Sequence, residues 1–170
     1  MIKNLVKGRV MVFIDAANML YSQRTLRWRI DYKKLLDYFK NECELRGIYL
    51  YTGRVGDNQK QNAFLQKLIG FGYRVKAKEV KRIKIAKDTY TWKGNLDVEL
   101  TIDVIGNLNN LETLVLMSGD SDFAPLLDMA KQHKKQVLVI STKGHVAKEL
   151  LNRAKYINIK KLREQIEYII

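Results

Sequence analysis

Asp15, Asp97, Asp120 and Asp122 are the residues whose type and placement could do chemistry. Asp15 closes the apolar run VMVFI (residues 10–14), and Asp120 and Asp122 follow LVLM (114–117) through Ser118-Gly119. Asp97 stands in the first turn of a segment, 96–108, whose apolar spacing predicts a helix. Carboxylates at the ends of buried strands lie where open α/β sheets bind ligands. Four of them in one cleft would oppose each other's ionisation unless cations neutralised them. All-oxygen ligation with retained waters suits Mg²⁺ or Mn²⁺. Such ions lower the pKa of a bound water and orient it against a phosphodiester, which removes the need for a His or Lys base. Asp103, about 9 Å farther along the same helix by helical rise, is a further candidate ligand or else a structural hydrogen-bonding acid. Solubilised loops and helix-dipole partners are the plainer readings of the same acids.

These groups meet only if the elements gather them. Residues 10–14, 48–53, 73–77, 114–117 and 136–141 read as strands, alternating with helices over 31–46, 58–69, 96–108 and the segment after Pro125. Asp31 and Asn58 are the expected caps, and Ser121 or Asp122 caps the helix that Pro125 can begin. Leu65, Leu68 and Phe64 are expected to face inward on one helix, and Val98, Thr101, Ile102, Ile105 and Leu108 on another. This alternation predicts a three-layer α/β/α sandwich with a mostly parallel, Rossmann-like central sheet. One domain over residues 1–160 and a short helical extension over 161–170 are expected. Residues 78–93 break the pattern and read as an inserted β-hairpin turning near Lys87-Asp88, with one face wet. Cys43 falls on an apolar helix face and reads as core. His145 follows a strand end but reads as a surface or helix-capping residue, and His133 as surface.

Net charge is +13, and its distribution is informative. Residues 95–130 carry seven acids and no Lys or Arg, so an island of −7 sits in a chain that is otherwise +20. Carboxylates holding cations within a surface that holds phosphates would give that pattern. Between Arg74 and Lys93 there are eight Lys/Arg against two acids. Lys81, Arg82, Lys84, Lys87 and Lys93 could form a phosphate-contacting rim, with Tyr90 or Trp92 stacking on a base, or an ordinary solvated hairpin. Tyr21, Arg24, Arg27, Trp28 and Arg29 form a second basic-aromatic cluster that could be the opposite bank. The single cysteine and the lack of a Cys/His cluster at zinc spacing favour a reducing compartment, taken as cytoplasmic. Neither a signal peptide nor an apolar run near the ~20 residues of a membrane span is expected.

Three stretches carry a resemblance. Phe13-Ile14-Asp15-Ala16-Ala17-Asn18, then Lys93 to Leu100 (KGNLDVEL) with Asp103, then Ser118-Gly119-Asp120-Ser121-Asp122-Phe123 resemble the three motifs of the NYN domain, LabA-like branch, in the PIN-like nuclease group. The similarity runs from about residue 10 to 141, and Leu96 stands where Val is the usual residue. The resemblance implies a PIN-like fold and a metal-dependent ribonuclease. Asp15, Asp97, Asp120 and Asp122 would be its catalytic metal site, Asn18 would line it, and Asp103 would be a further family acid. Ser118, with Gly119, is expected from its own position to line the site and keep the strand end open. RNA, single-stranded or structured, is then the expected partner, with DNA left open because basic patches do not distinguish sugars. A non-catalytic RNA-binding module and a homodimer stay compatible with the sequence. An Asp-nucleophile phosphatase fits poorly, since its usual second acid would stand at Ala17.

Overall fold

The computed structural model describes residues 1–86 and 89–169, with residues 82–86 and 89–93 described as backbone only. The continuous apolar runs become strands buried on both faces, as parallel sheets require. In chain order the elements are β1 (Arg9–Asp15), α1 (Ala16–Leu26), α2 (Tyr32–Glu42), β2 (Glu44–Arg54), α3 (Gln59–Phe71) and β3 (Arg74–Glu79). A separate antiparallel ribbon, β4 (Lys81–Ala86) and β5 (Thr89–Lys93), precedes α4 (Asp97–Gly106). Then come β6 (Thr113–Met117), α5 (Ala124–Gln132), β7 (Gln136–Ser141), α6 (Lys148–Leu151), β8 (Lys155–Asn158) and α7 (Arg163–Ile166).

Six strands form one all-parallel sheet in the order β3-β2-β1-β6-β7-β8. The chain winds outward from β1 to β3, then returns to β6 and winds the other way. The switch point lies between β1 and β6, where the diverging connections leave a crevice at the carboxyl ends. Alternate residues of β1 separate two cores. Val10, Val12 and Ile14 pack with α2 and α3 residues Leu35, Phe39, Leu65 and Leu68. Met11 and Phe13 pack on the other side with Leu100 and Val104 of α4 and with Leu127 of α5. The resulting three-layer α/β sandwich is the expected fold. The segment after residue 160 places Leu162 and Ile166 in the first of these cores.

Three local expectations are corrected. The helix from Tyr32 ends at Glu42, four residues early, because β2 already pairs with β1 at Arg9↔Glu44 and Val10↔Leu45. Cys43 is therefore an extended junction residue, half-buried, and burial followed by the nearby Glu42 charge pushes its thiol up to about 11. On α4, Val98 (67 % exposed), Ile102 (60 %) and Ile105 face outward. Leu108 is buried as expected, but it joins Leu96, Leu100 and Val104 in the packed stripe. Both sets recur at three- or four-residue helical spacing, so periodicity could not choose between them. Phe64 is 42 % exposed rather than inward-facing.

Candidate metal centre

β1 delivers Asp15 to the crevice, where it caps α1, its Oδ1 accepting from the Asn18 N–H at 3.1 Å. β6 is followed by fully buried Ser118, whose hydroxyl donates to Asp15 Oδ2 (3.0 Å) and accepts from the Asp120 N–H (3.2 Å). Ser118 thus couples the two strand ends through one oxygen. Asn18 adds a second tie, its Oδ1 accepting from the Gly119 N–H at 3.0 Å. Asp120, rather than Ser121 or Asp122, caps the next turn, accepting from the Asp122 N–H at 3.0 Å. A short 3₁₀ turn, Ser121–Phe123, then leads into α5, with Pro125 in its first turn. α4 runs back antiparallel to the strands and brings Asp97 over the same edge, where Asn95 Nδ2 donates to its Oδ2 at 2.7 Å.

One carboxylate oxygen from each of Asp97, Asp120 and Asp122 lies within 4.8 Å of the others. Asp15 is outside this trio, but it lines with Asp97 and Asp120 the same cavity of about 190 Å³. Its oxygens each accept one hydrogen bond and keep a further lone pair. Burial raises the pKa of Asp15, offset in part by the Asn18 N–H and the Ser118 hydroxyl, and the Asp120 charge raises it further. Asp97 is pushed up to about 6, first by burial and then by the charges of Asp15, Asp120 and Asp122. An all-oxygen donor set whose members oppose each other's ionisation fits a hard divalent cation and gives little purchase to a softer one.

Asp103 belongs to a different arrangement. It accepts from the Tyr51 hydroxyl and from Lys76 Nζ, both at 2.7 Å, so it is a structural acid behind the cavity wall, not a member of the trio. Burial, then the bond to Asp103, raises the Tyr51 pKa and keeps its hydroxyl a donor. Tyr51, Asn95 and Gly94 line the cavity, and sequence reasoning missed all three. Asn95 was discoverable, two residues before Asp97. Tyr51 had no signal beyond lying in a strand. Gly119 has a steric role, since a Cβ there would overlap the His145 carbonyl and come within 2.9 Å of Ser141 Oγ. His145 is half-buried rather than on the surface, its ring 4.6 Å from that of Tyr21.

Of the expected nucleic-acid contacts, Arg24, Arg27 and Lys81 are exposed. Trp28 is corrected to a core residue: it is 6 % exposed and packs among the first-core side chains, so its ring face is not free to stack on a base. Arg82, Lys84, Lys87, Tyr90, Trp92 and Lys93 lie outside the residues whose side chains are described.

The family model described as the NYN domain matches residues 9–160. The chain belongs to the NYN family. This NYN domain is 35 % identical over 165 residues to the low amplitude and bright protein LabA of Synechococcus elongatus, covering 94 % of this chain and 88 % of LabA. It is 26 % identical over 152 residues to an uncharacterized protein of Methanocaldococcus jannaschii, covering 88 % of this chain but 54 % of that one. A crystal structure of a protein of unknown function from Vibrio parahaemolyticus shares the fold, with a TM-score of 0.77 at 24 % identity over 95 % of this chain and 97 % of that one. The NYN fold is a PIN-like nuclease fold, and NYN nuclease domains act on nucleic acids. Among the described residues no helix is long and apolar enough to cross a membrane.

Proposed function

We propose that this NYN domain is a metal-dependent endoribonuclease that hydrolyses RNA phosphodiester bonds at the carboxylate site. The observation that carries the reading is the convergence of Asp97, Asp120 and Asp122 within 4.8 Å, with Asp15 beside them. Family membership and the +13 net charge support it. Asp97, Asp120 and Asp122 would hold Mg²⁺ or Mn²⁺, and Asp15 would complete or orient the set through Ser118. A bound ion of this kind supplies Lewis-acid charge and an activated water. The chain's own part is placement. Ser118 fixes Asp15 relative to Asp120, Asn18 fixes the turn that carries Asp120 and Asp122, and Asn95 holds one oxygen of Asp97. Above pH about 6 Asp97 is the carboxylate that ligation needs. Exposed Arg24 and Arg27 would bind flanking phosphates.

The test is incubation of labelled single-stranded RNA, duplex RNA and DNA with Mg²⁺, Mn²⁺ or chelator, beside the Asp120→Asn protein. Cleavage of RNA that needs the ion and vanishes in the variant is expected. Undiminished cleavage by Asp120→Asn would refute the site. Tight binding with the strand intact after long incubation in Mn²⁺ would replace the nuclease by a non-catalytic RNA-binding module.

A further inference from the structure

Helix α1 is a ridge with a different cleft on each flank. Ala17 and Asn18 line the acidic cavity, whereas Ala16, Leu20 and Gln23 line a second cleft of about 360 Å³ shared with Tyr32, Thr52 and Phe64. The volume falls in the roughly 300–1,000 Å³ range of small-ligand sites. The two hollows open on opposite faces of the sheet and approach each other at its carboxyl edge: Asp15 and Gly53 line one, and Ala16 and Gln61, which donates to the Gly53 carbonyl at 2.8 Å, line the other.

The walls of the second cleft are aromatic. Tyr32 and Phe64 pack edge to face at 5.6 Å, and Tyr168, 52 % exposed, lines the same cleft from the segment after α7. That segment is tied down by the Tyr168 N–H to the Arg29 carbonyl (2.9 Å) and by Lys34 Nζ to the Glu167 carbonyl (2.9 Å). The amides in the cleft are already engaged. Gln23 accepts from the Ile30 N–H at 2.8 Å, and Gln61 donates to the Gly53 carbonyl at 2.8 Å. Arg29 lines the cleft, and Arg24 and Arg27 line a neighbouring hollow that shares Leu20, Gln23 and Arg29 with it; all three are exposed and have no carboxylate partner among the described residues. Arg9, Arg46, Arg153 and Arg163 are all paired. An aromatic slot flanked by unpaired guanidiniums, at the same sheet edge as a carboxylate site, suits a ligand that is flat, apolar-faced and joined to phosphates.

We propose that this cleft receives one base of a single-stranded RNA whose neighbouring phosphate reaches the carboxylates, an inference that rests on the nuclease reading above. The base lies against Phe64 and Tyr168, and Arg29 with Arg24 or Arg27 takes the phosphates that follow. With Gln23 and Gln61 engaged in holding the backbone, recognition is by stacking and is tolerant of base identity. A duplex is refused because its bases are not free to enter.

The experiment scans a labelled oligoribonucleotide of mixed sequence with a single abasic residue at each position, reading binding by fluorescence anisotropy in chelator and mapping the cleaved bond separately in Mn²⁺. One abasic position, at a fixed offset from the cleaved bond, is expected to weaken wild-type binding by about 5- to 150-fold, the range of one lost stacking contact. Phe64→Leu, which keeps the apolar volume, and Tyr168→Ala, at a half-exposed position, should each reduce that difference while thermal unfolding stays cooperative. A flat abasic scan by a protein that still cleaves RNA overturns the base site, leaves the nuclease standing and returns the cleft to another occupant. A single sensitive position that both variants leave unchanged also overturns it. A wild-type protein that neither binds nor cleaves RNA overturns the nuclease reading and this inference with it.

Discussion

Replacing Asp97 by Asn should make the ion-free protein more stable while abolishing its activity. The carboxyl rises from an ordinary 3.8 to about 6 in the fold, a shift of about two pKa units. At ~1.36 kcal/mol per unit this bounds the penalty of the charged form near 3 kcal/mol. Part of the side chain remains in water, and screening reduces the figure to about 1–2 kcal/mol. The sign follows from proton linkage. A folded-state acid with a raised pKa destabilises the fold fully above pH 6, and the penalty fades as pH falls toward 3.8, shrinking to roughly a third by pH 4.5. The variant's amide oxygen can still accept from Asn95, so little else changes. Thermal unfolding in chelator at pH 7 should show Tm raised by about 2–8 °C, with a smaller difference at pH 4.5. Saturating Mn²⁺ should reverse the order, since an ion at 100 times its Kd adds about 2.7 kcal/mol to the wild type and far less to the variant. A variant no more stable than wild type at pH 7 in chelator, or an advantage that does not shrink at pH 4.5, would refute the repulsion argument.

Removing the Ser118 hydroxyl, as Ser118→Ala, unties Asp15 from Asp120, so RNA cleavage should fall about 10- to 100-fold, and urea unfolding should show a loss of about 1–3 kcal/mol. Asp103→Asn and Tyr51→Phe break the bond between a cavity-wall tyrosine and the acid behind it while leaving the trio's carboxylates in place. Mn²⁺ affinity measured by titration calorimetry should stay within a few-fold of wild type, and a loss as large as that of Asp120→Asn would place Asp103 among the ligands after all. Gly119→Ala drives a methyl into the His145 carbonyl, and a destabilisation of about 1–3 kcal/mol should appear in thermal unfolding, with cleavage reduced as the turn shifts.

Much of this protein could be read along the chain. VMVFI and LVLM are apolar without alternation, a pattern that suits strands buried on both faces, and the acids that close them follow directly in sequence. Asp31 and Asn58 cap their helices as expected, because capping is decided within three or four residues. Hence the main strands, most of the helices, the layered sheet and the positions of the four aspartates were legible, whereas α1 (Ala16–Leu26) was not. What the chain could not disclose depends on partners distant in sequence. α4 has two apolar stripes, and only docking on β1 and β6 buries Leu100 and Val104 rather than Val98 and Ile102. Trp28 looks like a base-stacking residue beside its arginines until the first core encloses it. Asp103 shares a helix and a charge with Asp97, but Tyr51 and Lys76, 52 and 27 residues away, claim its oxygens. The carboxylates were thus set by local sequence. Which of them face one another was decided by the reversal of winding between β1 and β6, because side-chain direction is fixed by packing across the sheet, which adjacent residues do not encode.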